Sequence, residues 1–364
     1  MSELDEFRTI DLSDKAQRQE WEQLVRSTGL PQPRPGSVAE LELTLGAKPG
    51  DRLTATGSIA GDRIEFVAIA ESERAGGAAF NRLITELLHE QAERGRFHVF
   101  VSTKPGYRTA FTHIGFDVLA ADDHGVLMET GDRRIGAYLA QLAPLAARPG
   151  ERLGAVVMHA NPFTRGHRHL IETALEDCDR VIVFVLADDA ALFSASERRA
   201  LVETDTADLG DRVNVVSGDD YLVSAVTFPA YFIDDASAAA RYQCRLDAQI
   251  FRERIAPALG IGTRFLGEEP ASPTTAIYNE VLSEQLPPSV QVRIIPRLQT
   301  ATGDVISASS VRARIAAGEF AGLDAMLPPT TAAFVRAHAD ELSQRIRASH
   351  ASELPIRTNE EIGR

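Results

Sequence analysis

The sequence predicts an α/β protein of two domains, the second built on a parallel sheet covered by helices. Three observations predict it. At 364 residues the chain is longer than one hydrophobic core usually serves. From Leu153 onward, short apolar runs alternate with segments of helical period, the order that gives parallel strands joined by helical crossovers. Upstream, three strand-like runs follow one another before a helix, so the first domain has a different order.

Phe7–Leu12 reads as a first strand and Asp14–Thr28 as a helix with Trp21, Leu24 and Val25 on one side, broken by the proline-rich Gln32–Pro35. Strands are expected at Val38–Leu45, Leu53–Ala60 and Ile64–Ile69. A helix follows at Gly77–Arg94, where Phe80, Leu83, Ile84, Leu87 and Leu88 recur at helical spacing. Phe97–Ser102 is another strand, then a short helix and a turn into strand at Gly115-Phe116 complete a first domain over 1–131. Ile135–Ala147 is helical around Tyr138, Leu139, Leu142 and Leu145, is interrupted by Pro144, and ends in the turn Arg148-Pro149-Gly150, so 132–152 bridges the domains.

The second domain, 153–349, runs strand Leu153–Met158, helix Gly166–Cys178, strand Val181–Leu186, helix Ser196–Thr204 and strand Val213–Val216. A long helix Ser237–Leu259, strand Arg264–Leu266, helix Thr274–Leu286 and strand Val290–Ile295 follow. Ser194 and Glu197 have the spacing of a capping box. Residues 350–364 read as a polar, mobile tail.

Composition narrows the function. A net charge of −14 argues against general affinity for nucleic acid or anionic membrane, while leaving room for a local basic cleft. The acidic start has no apolar core of a secretory signal and no later run approaches the ~20 residues of a membrane span, so a cytoplasmic protein is expected. Cys178 and Cys244 are too few and too isolated for a disulfide scaffold or zinc site. His159, His167 and His169 do not form a metal set either, since residues two apart on a helix point in different directions and no acid or thiol has ligand spacing.

The stretch Gly154–Leu170, GAVVMHANPFTRGHRHL, carries the chemistry. A buried strand, a turn at Asn161-Pro162 and a helix start near Gly166 make a phosphate site, because unpaired N–H groups and the positive end of the helix dipole face it. Thr164-Arg165-Gly166-His167 matches the T/H-x-G-H signature of the nucleotidyltransferase superfamily, and Ile306-Ser307-Ala308-Ser309-Ser310-Val311-Arg312 matches its second signature, I-S-x-S-x-x-R. Gly166 leaves room for a phosphate against the backbone, and His167 can donate to the α-phosphate as charge builds there. Ser307, Ser309 and Ser310 crowd a second helix start where β- and γ-phosphates can be held, with Arg312 as cationic partner. The plain alternative is an ordinary histidine cap and a serine-rich helix start.

The resemblance extends further. The first domain, with Arg74-Ala75-Gly76-Gly77-Ala78-Ala79 between a strand and a helix, resembles the acyl-CoA-binding core of the GNAT fold; a strand-to-helix turn without a ligand is the competing reading. The run VVMHANPFTRGHRHL, FSASER, Gly218–Ser224, Thr227–Phe232, Arg264–Pro270 and ISASSVR together look like the citrate lyase ligase family, a likeness covering nearly the whole chain. It implies a GNAT-like α/β domain followed by a Rossmann-like, parallel-sheet nucleotidyltransferase domain. It also implies an ATP-dependent ligase that converts acetate to acetyl-AMP with release of pyrophosphate. The acetyl group then passes to the prosthetic-group thiol of the citrate lyase acyl carrier (gamma) subunit.

By the same resemblance, His167 and Arg312 are catalytic, and Asn161, Thr164, Gly166, Gly267, Glu268, Ser307 and Ser309 bind ATP. Mg²⁺ is expected through the nucleotide because adjacent phosphates need charge compensation. The GNAT-like domain is a candidate cradle for the CoA-derived prosthetic group. One departure stands out: His159 occupies the position where the family run M-N-A-N-P-F leads one to expect asparagine. Another carrier, such as that of malonate decarboxylase, a plain adenylyltransferase, and a non-catalytic nucleotide or CoA sensor remain as alternatives.

Overall fold

The computed structural model describes residues 7–30, 33, 35–187, 191–222, 233, 236–268, 273–300, 303 and 305–352. Val223-Ser224, the Thr227–Phe232 motif, Glu269-Pro270, most of the proline-rich segment after the first helix and the tail beyond Ser352 lie outside the described residues. The chain forms two compact units. One is Met1–Pro144 with Val223–Ala258 and Glu280–Gln285; the other is Leu145–Leu222 with Leu259–Asn279 and Leu286–Arg364.

The first unit begins with β1 (Arg8–Thr9), α1 (Lys15–Ser27), α2 (Pro35–Ala39), β2 (Leu43–Ala47), β3 (Ala55–Ala60) and β4 (Arg63–Ile69). It continues with α3 (Ala78–Glu93), β5 (His98–Thr103), α4 (Arg108–His113), β6 (Asp117–Ala121), β7 (Val126–Gly131) and α5 (Ile135–Leu142). Its seven strands lie in the order β1-β2-β3-β4-β5-β7-β6. All neighbours are antiparallel except β4 and β5, whose parallel pairing consists of Arg63 with Phe100 and Ile64 with Val101, so the two strands part beyond that point. The Asp14 carboxylate starts α1 by accepting from Ala16 and Gln17 N–H. The α1 residues Trp21, Leu24 and Val25 then pack with Leu53 and Phe66. Phe80, Leu83, Ile84 and Leu87 of α3 build a separate cluster with Val99, Val101 and Phe111.

Three expectations change here. Val38–Leu45 is not one strand: α2 ends at Ala39 and β2 begins at Leu43. A proline tolerates the first position of a helix, where no N–H is needed, so Pro35 begins a turn instead of only breaking one. The turn at Gly115-Phe116 leads into a hairpin of two strands, β6 and β7.

The third change concerns the long helix, which is α8 (Ala236–Ile250), a widened turn Phe251–Ile255 and α9 (Ala256–Leu259). The Ala256 N–H reaches back to the Phe251 carbonyl across this turn, directly before Pro257, which has no N–H to continue the ladder. Instead of covering the parallel sheet, α8 belongs to the first unit and packs on β6, where Gln249 accepts from the Ala121 N–H at 3.0 Å and Arg245 pairs with Asp122 at 2.7 Å.

The second unit contains β8 (Leu153–Met158), α6 (Arg165–Asp177), β9 (Arg180–Val185), α7 (Ala195–Asp205), β10 (Val213–Ser217) and β11 (Ile261–Gly267). After α10 (Pro273–Gln285) come β12 (Gln291–Ile295), α11 (Ala308–Ala317), α12 (Pro329–Ala337) and α13 (Ala339–Ser352). Its five strands are all parallel, in the order β10-β9-β8-β11-β12. The central strands are apolar because both faces are covered: Val181, Ile182, Val183 and Phe184 are each 0% exposed. The expected box at α7 forms, with Ser194 accepting from Glu197 N–H and Glu197 accepting from Ser194 N–H. Buried Asp205 ends α7 and caps α12, accepting from the N–H groups of Thr330 and Thr331 at 2.9 Å each and from the Thr331 hydroxyl at 2.7 Å. Asp205→Ala is expected to lower stability by about 2–4 kcal/mol in a denaturant titration, because it strands buried donors at a helix start.

Candidate functional site

The carboxyl ends of β8, β11 and β12 and the N-termini of α6 and α11 border a cleft of about 280 Å³. Ligand sites in open parallel sheets lie at this end of the strands. Thr164, Gly166, His167, Gly267 and Ser307, all expected in the site, are in its wall. So are His159, His169 and Arg297, which were not assigned to it. His169 shares the cleft with His167 although the two are only two residues apart, since both stand in the first turns of α6, where the cleft wraps the helix end.

Local sequence explains how His167 is held. Thr164 is the N-cap of α6; its hydroxyl accepts from the His167 N–H at 3.3 Å, and its own N–H donates to His167 Nδ1 at 3.0 Å. Nδ1 is therefore the acceptor nitrogen, and in the neutral ring the proton sits on Nε2 as a donor. The ring stacks on Phe163 with centroids 5.9 Å apart. Burial first, then the charges of Arg297 and His159, push its pKa down to about 4. At neutral pH His167 is an uncharged N–H donor.

The second signature segment forms the facing helix start. Ser307 caps α11 by accepting from the Ser310 N–H at 3.0 Å. The two segments meet at Gly166, where a Cβ would lie 3.2 Å from the Ile306 carbonyl oxygen. The absence of a side chain at Gly166 lets the two signature segments approach this closely, and Gly166 still lines the cleft. At Gly267 the opposite holds: a Cβ there meets nothing within 4 Å.

Asn161, Glu268, Ser309 and Arg312 do not line this cleft themselves; they flank it on the β8–α6 turn, just after β11 and on α11. The buried Asn161 accepts at Oδ1 from the Phe193 N–H at 3.1 Å, and its carbonyl accepts from Arg312 Nη1 at 2.6 Å. Ser309 Oγ lies 3.3 Å from Arg312 Nη2. Glu268 contributes backbone, donating N–H to the Ile295 carbonyl at 2.9 Å and accepting from Arg297 Nε at 2.6 Å. Among the described residues no carboxylate lies within ion-pair distance of Arg312, and no cluster of three His, Cys, Asp or Glu is placed to hold a metal ion. A neutral donor, two helix starts and an arginine without a carboxylate partner suit an anion.

A family model for the citrate lyase ligase C-terminal domain matches residues 153–335. A citrate (pro-3S)-lyase ligase of Klebsiella pneumoniae is 36% identical over 339 residues, 92% of this chain and 96% of that one. The chain belongs to the citrate lyase ligase family. Solved structures resemble this citrate lyase ligase family member in parts. FeeM, an N-acyl amino acid synthase from uncultured soil microbes, covers 37% of this chain and 93% of its own at 17% identity and a TM-score of 0.30. A protein from Vibrio parahaemolyticus assigned as a nicotinate-nucleotide adenylyltransferase covers 53% of this chain and 96% of its own at 15% identity and a TM-score of 0.32. No helix among the described residues is long and apolar enough to cross a membrane.

Proposed function

We infer that the chain is a citrate (pro-3S)-lyase ligase, which uses ATP to acetylate the prosthetic-group thiol on the citrate lyase acyl carrier subunit. The observation that carries this is identity extending over 92% of the chain and 96% of the Klebsiella pneumoniae ligase, so that both units are shared. An acetate oxygen attacks the α-phosphorus, the bond to the β-phosphate's bridging oxygen breaks, and pyrophosphate leaves. The thiol, giving up its proton, then attacks the acetyl carbonyl of acetyl-AMP, and AMP leaves with the electron pair of the broken C–O bond.

In this scheme His167 Nε2–H donates to an α-phosphate oxygen, and Thr164 holds the ring in that tautomer. Arg312, with Ser309, takes the leaving pyrophosphate, and Ser307 keeps the α11 N–H groups open towards it. Gly267 and the Glu268 backbone border the adenosine. Asn161 shapes the turn by accepting from the Phe193 N–H at Oδ1 and from the Arg312 guanidinium at its carbonyl. Mg²⁺, held mainly by the nucleotide's own phosphates, would supply the charge compensation that adjacent phosphates need. The first unit is the cradle for the CoA-derived group. Support for this comes from the parting of β4 and β5, and from Gly77, which takes φ +70° directly before α3 so that N–H groups can face a pyrophosphate.

The full-length protein is tested with ATP, acetate and the purified carrier subunit bearing its prosthetic group. AMP and pyrophosphate should form in equal amounts, with acetyl thioester on the carrier, and turnover should stop when the thiol is alkylated. Thioester formed on a malonate decarboxylase carrier alone would move the reading to that partner. Pyrophosphate formed with a phosphorylated metabolite would point to a plain adenylyltransferase. No turnover with any acid would leave a sensor.

A further inference from the structure

Arg198 lies on α7, in the apolar neighbourhood of Leu201 and Val202, and is 0% exposed. Its Nη1 donates to the carbonyls of His159 and Leu186, both at 2.8 Å, and its Nε to the carbonyl of Phe193 at 3.0 Å. His159 and Leu186 are the first residues beyond β8 and β9, and the bond from Leu186 N–H to the Met158 carbonyl at 3.1 Å marks where the ladder between those strands ends. Beyond that point one buried guanidinium gathers both carbonyls.

The next residue is in a costly conformation. Ala160 has φ +50°, the left-handed region that disfavours a side chain, and is itself buried. Such a backbone persists only where its surroundings over-determine it. Here they do: Arg198 holds the carbonyl before Ala160, and Arg312 holds the carbonyl after it, on Asn161, at 2.6 Å. Three residues after Asn161 comes Thr164, whose N–H orients the His167 ring. An apolar residue at 198 would fill this core without burying a charge, so the arginine's contribution lies in the direction it gives the chain.

We propose that Arg198 is a positioning residue for the ligase reaction, clamping the turn between β8 and α6 so that His167 presents its N–H to the substrate phosphate. The proposal rests on the ligase reading above, and its test separates the two. Full-length Arg198→Met and Arg198→Lys are compared with wild type by thermal melting, by kcat and KM for ATP per folded enzyme, and by ¹⁵N NMR of the His167 ring across pH.

For Arg198→Met, kcat should fall about 30-fold or more while KM for ATP changes less than about threefold, the pattern of a displaced reacting group. Its His167 should titrate above the wild-type value of about 4, with a weakened Nδ1 acceptor signature. In Arg198→Lys, an ammonium that reaches the His159 carbonyl should restore at least part of both. Wild-type kcat and His167 spectrum in folded Arg198→Met would overturn the proposal, whatever the melting temperature. If Arg198→Met does not fold, Arg198→Lys decides: an unshifted His167 signal with unchanged kcat overturns it. The NMR readout needs no turnover, so a shifted His167 signal in Arg198→Met, where the wild type proves inactive with acetate, would remove the ligase reading and support the clamp.

Discussion

His167→Ala lowers kcat by about 10²–10³-fold while KM for ATP stays within about threefold. On the proposed mechanism its donor would serve the charge that develops on the α-phosphate, while the ground-state triphosphate would keep the partners proposed for it on α11. The same substitution removes the Nδ1 acceptor of the Thr164 N–H, so part of the loss could come from a frayed helix start. His167→Gln separates these effects. A glutamine three residues into a helix can accept from the N-cap N–H, the usual form of a capping box, so α6 should keep its cap and the protein its melting temperature. The amide N–H sits on a longer, freely rotating arm and replaces the fixed Nε2 donor only in part, so the rate should still fall by about tenfold or more. A glutamine variant with wild-type kcat would mean that His167 is a cap and no more.

The pH dependence follows from the same geometry. The ring titrates near 4 in the folded protein against 6.5 for an unperturbed histidine. Between these values the unfolded chain binds a proton that the folded chain refuses, so this group costs stability as pH falls from 6.5 towards 4 and is neutral to stability above 6.5. The rate should accordingly show no His167 titration between pH 6 and 8. A kcat profile that breaks near 6.5 in wild type and flattens in His167→Gln would contradict a neutral donor.

How much of this was readable in advance depended on whether the deciding interactions were local. Leu153–Met158 announced itself as a buried strand because a strand covered on both faces must be apolar throughout. The cap at Ser194 was readable because N-cap and partner are three residues apart. Long-range choices were not. Nothing in the spacing of Ala236–Ile250 tells that this helix packs on β6 of the other unit instead of on the sheet encoded around it. That Gly166 must also stay small because the Ile306 carbonyl packs against it was not legible, since that carbonyl lies 140 residues downstream. Arg198 sits among serine, glutamate and a second arginine in FSASERR and reads as surface, yet it is buried because carbonyls from three separate segments converge on it.

Arg312 carries the other large effect. Its guanidinium is half-buried, and that burial presses its pKa below the usual arginine value without discharging it. Its bonds to the Asn161 carbonyl and Ser309 Oγ use two of its five N–H donors and leave its charge without a carboxylate among the described residues. A leaving pyrophosphate would supply that charge. Arg312→Ala should therefore lower kcat/KM for ATP by about 10²–10³-fold and weaken product inhibition by pyrophosphate in parallel, since one contact serves both.

Arg312→Lys keeps the charge and loses the planar fork, so it cannot hold the Asn161 carbonyl and a phosphate oxygen together. It should sit between wild type and alanine, with pyrophosphate inhibition recovered more fully than kcat. The reverse order, with kcat restored and pyrophosphate affinity still lost, would show that the Asn161 bond matters for the chemistry and that another residue receives the leaving group. Equal pyrophosphate affinity in all three proteins would remove Arg312 from the phosphate site and leave it the role it visibly has, holding the turn at Asn161 from the far side of Ala160.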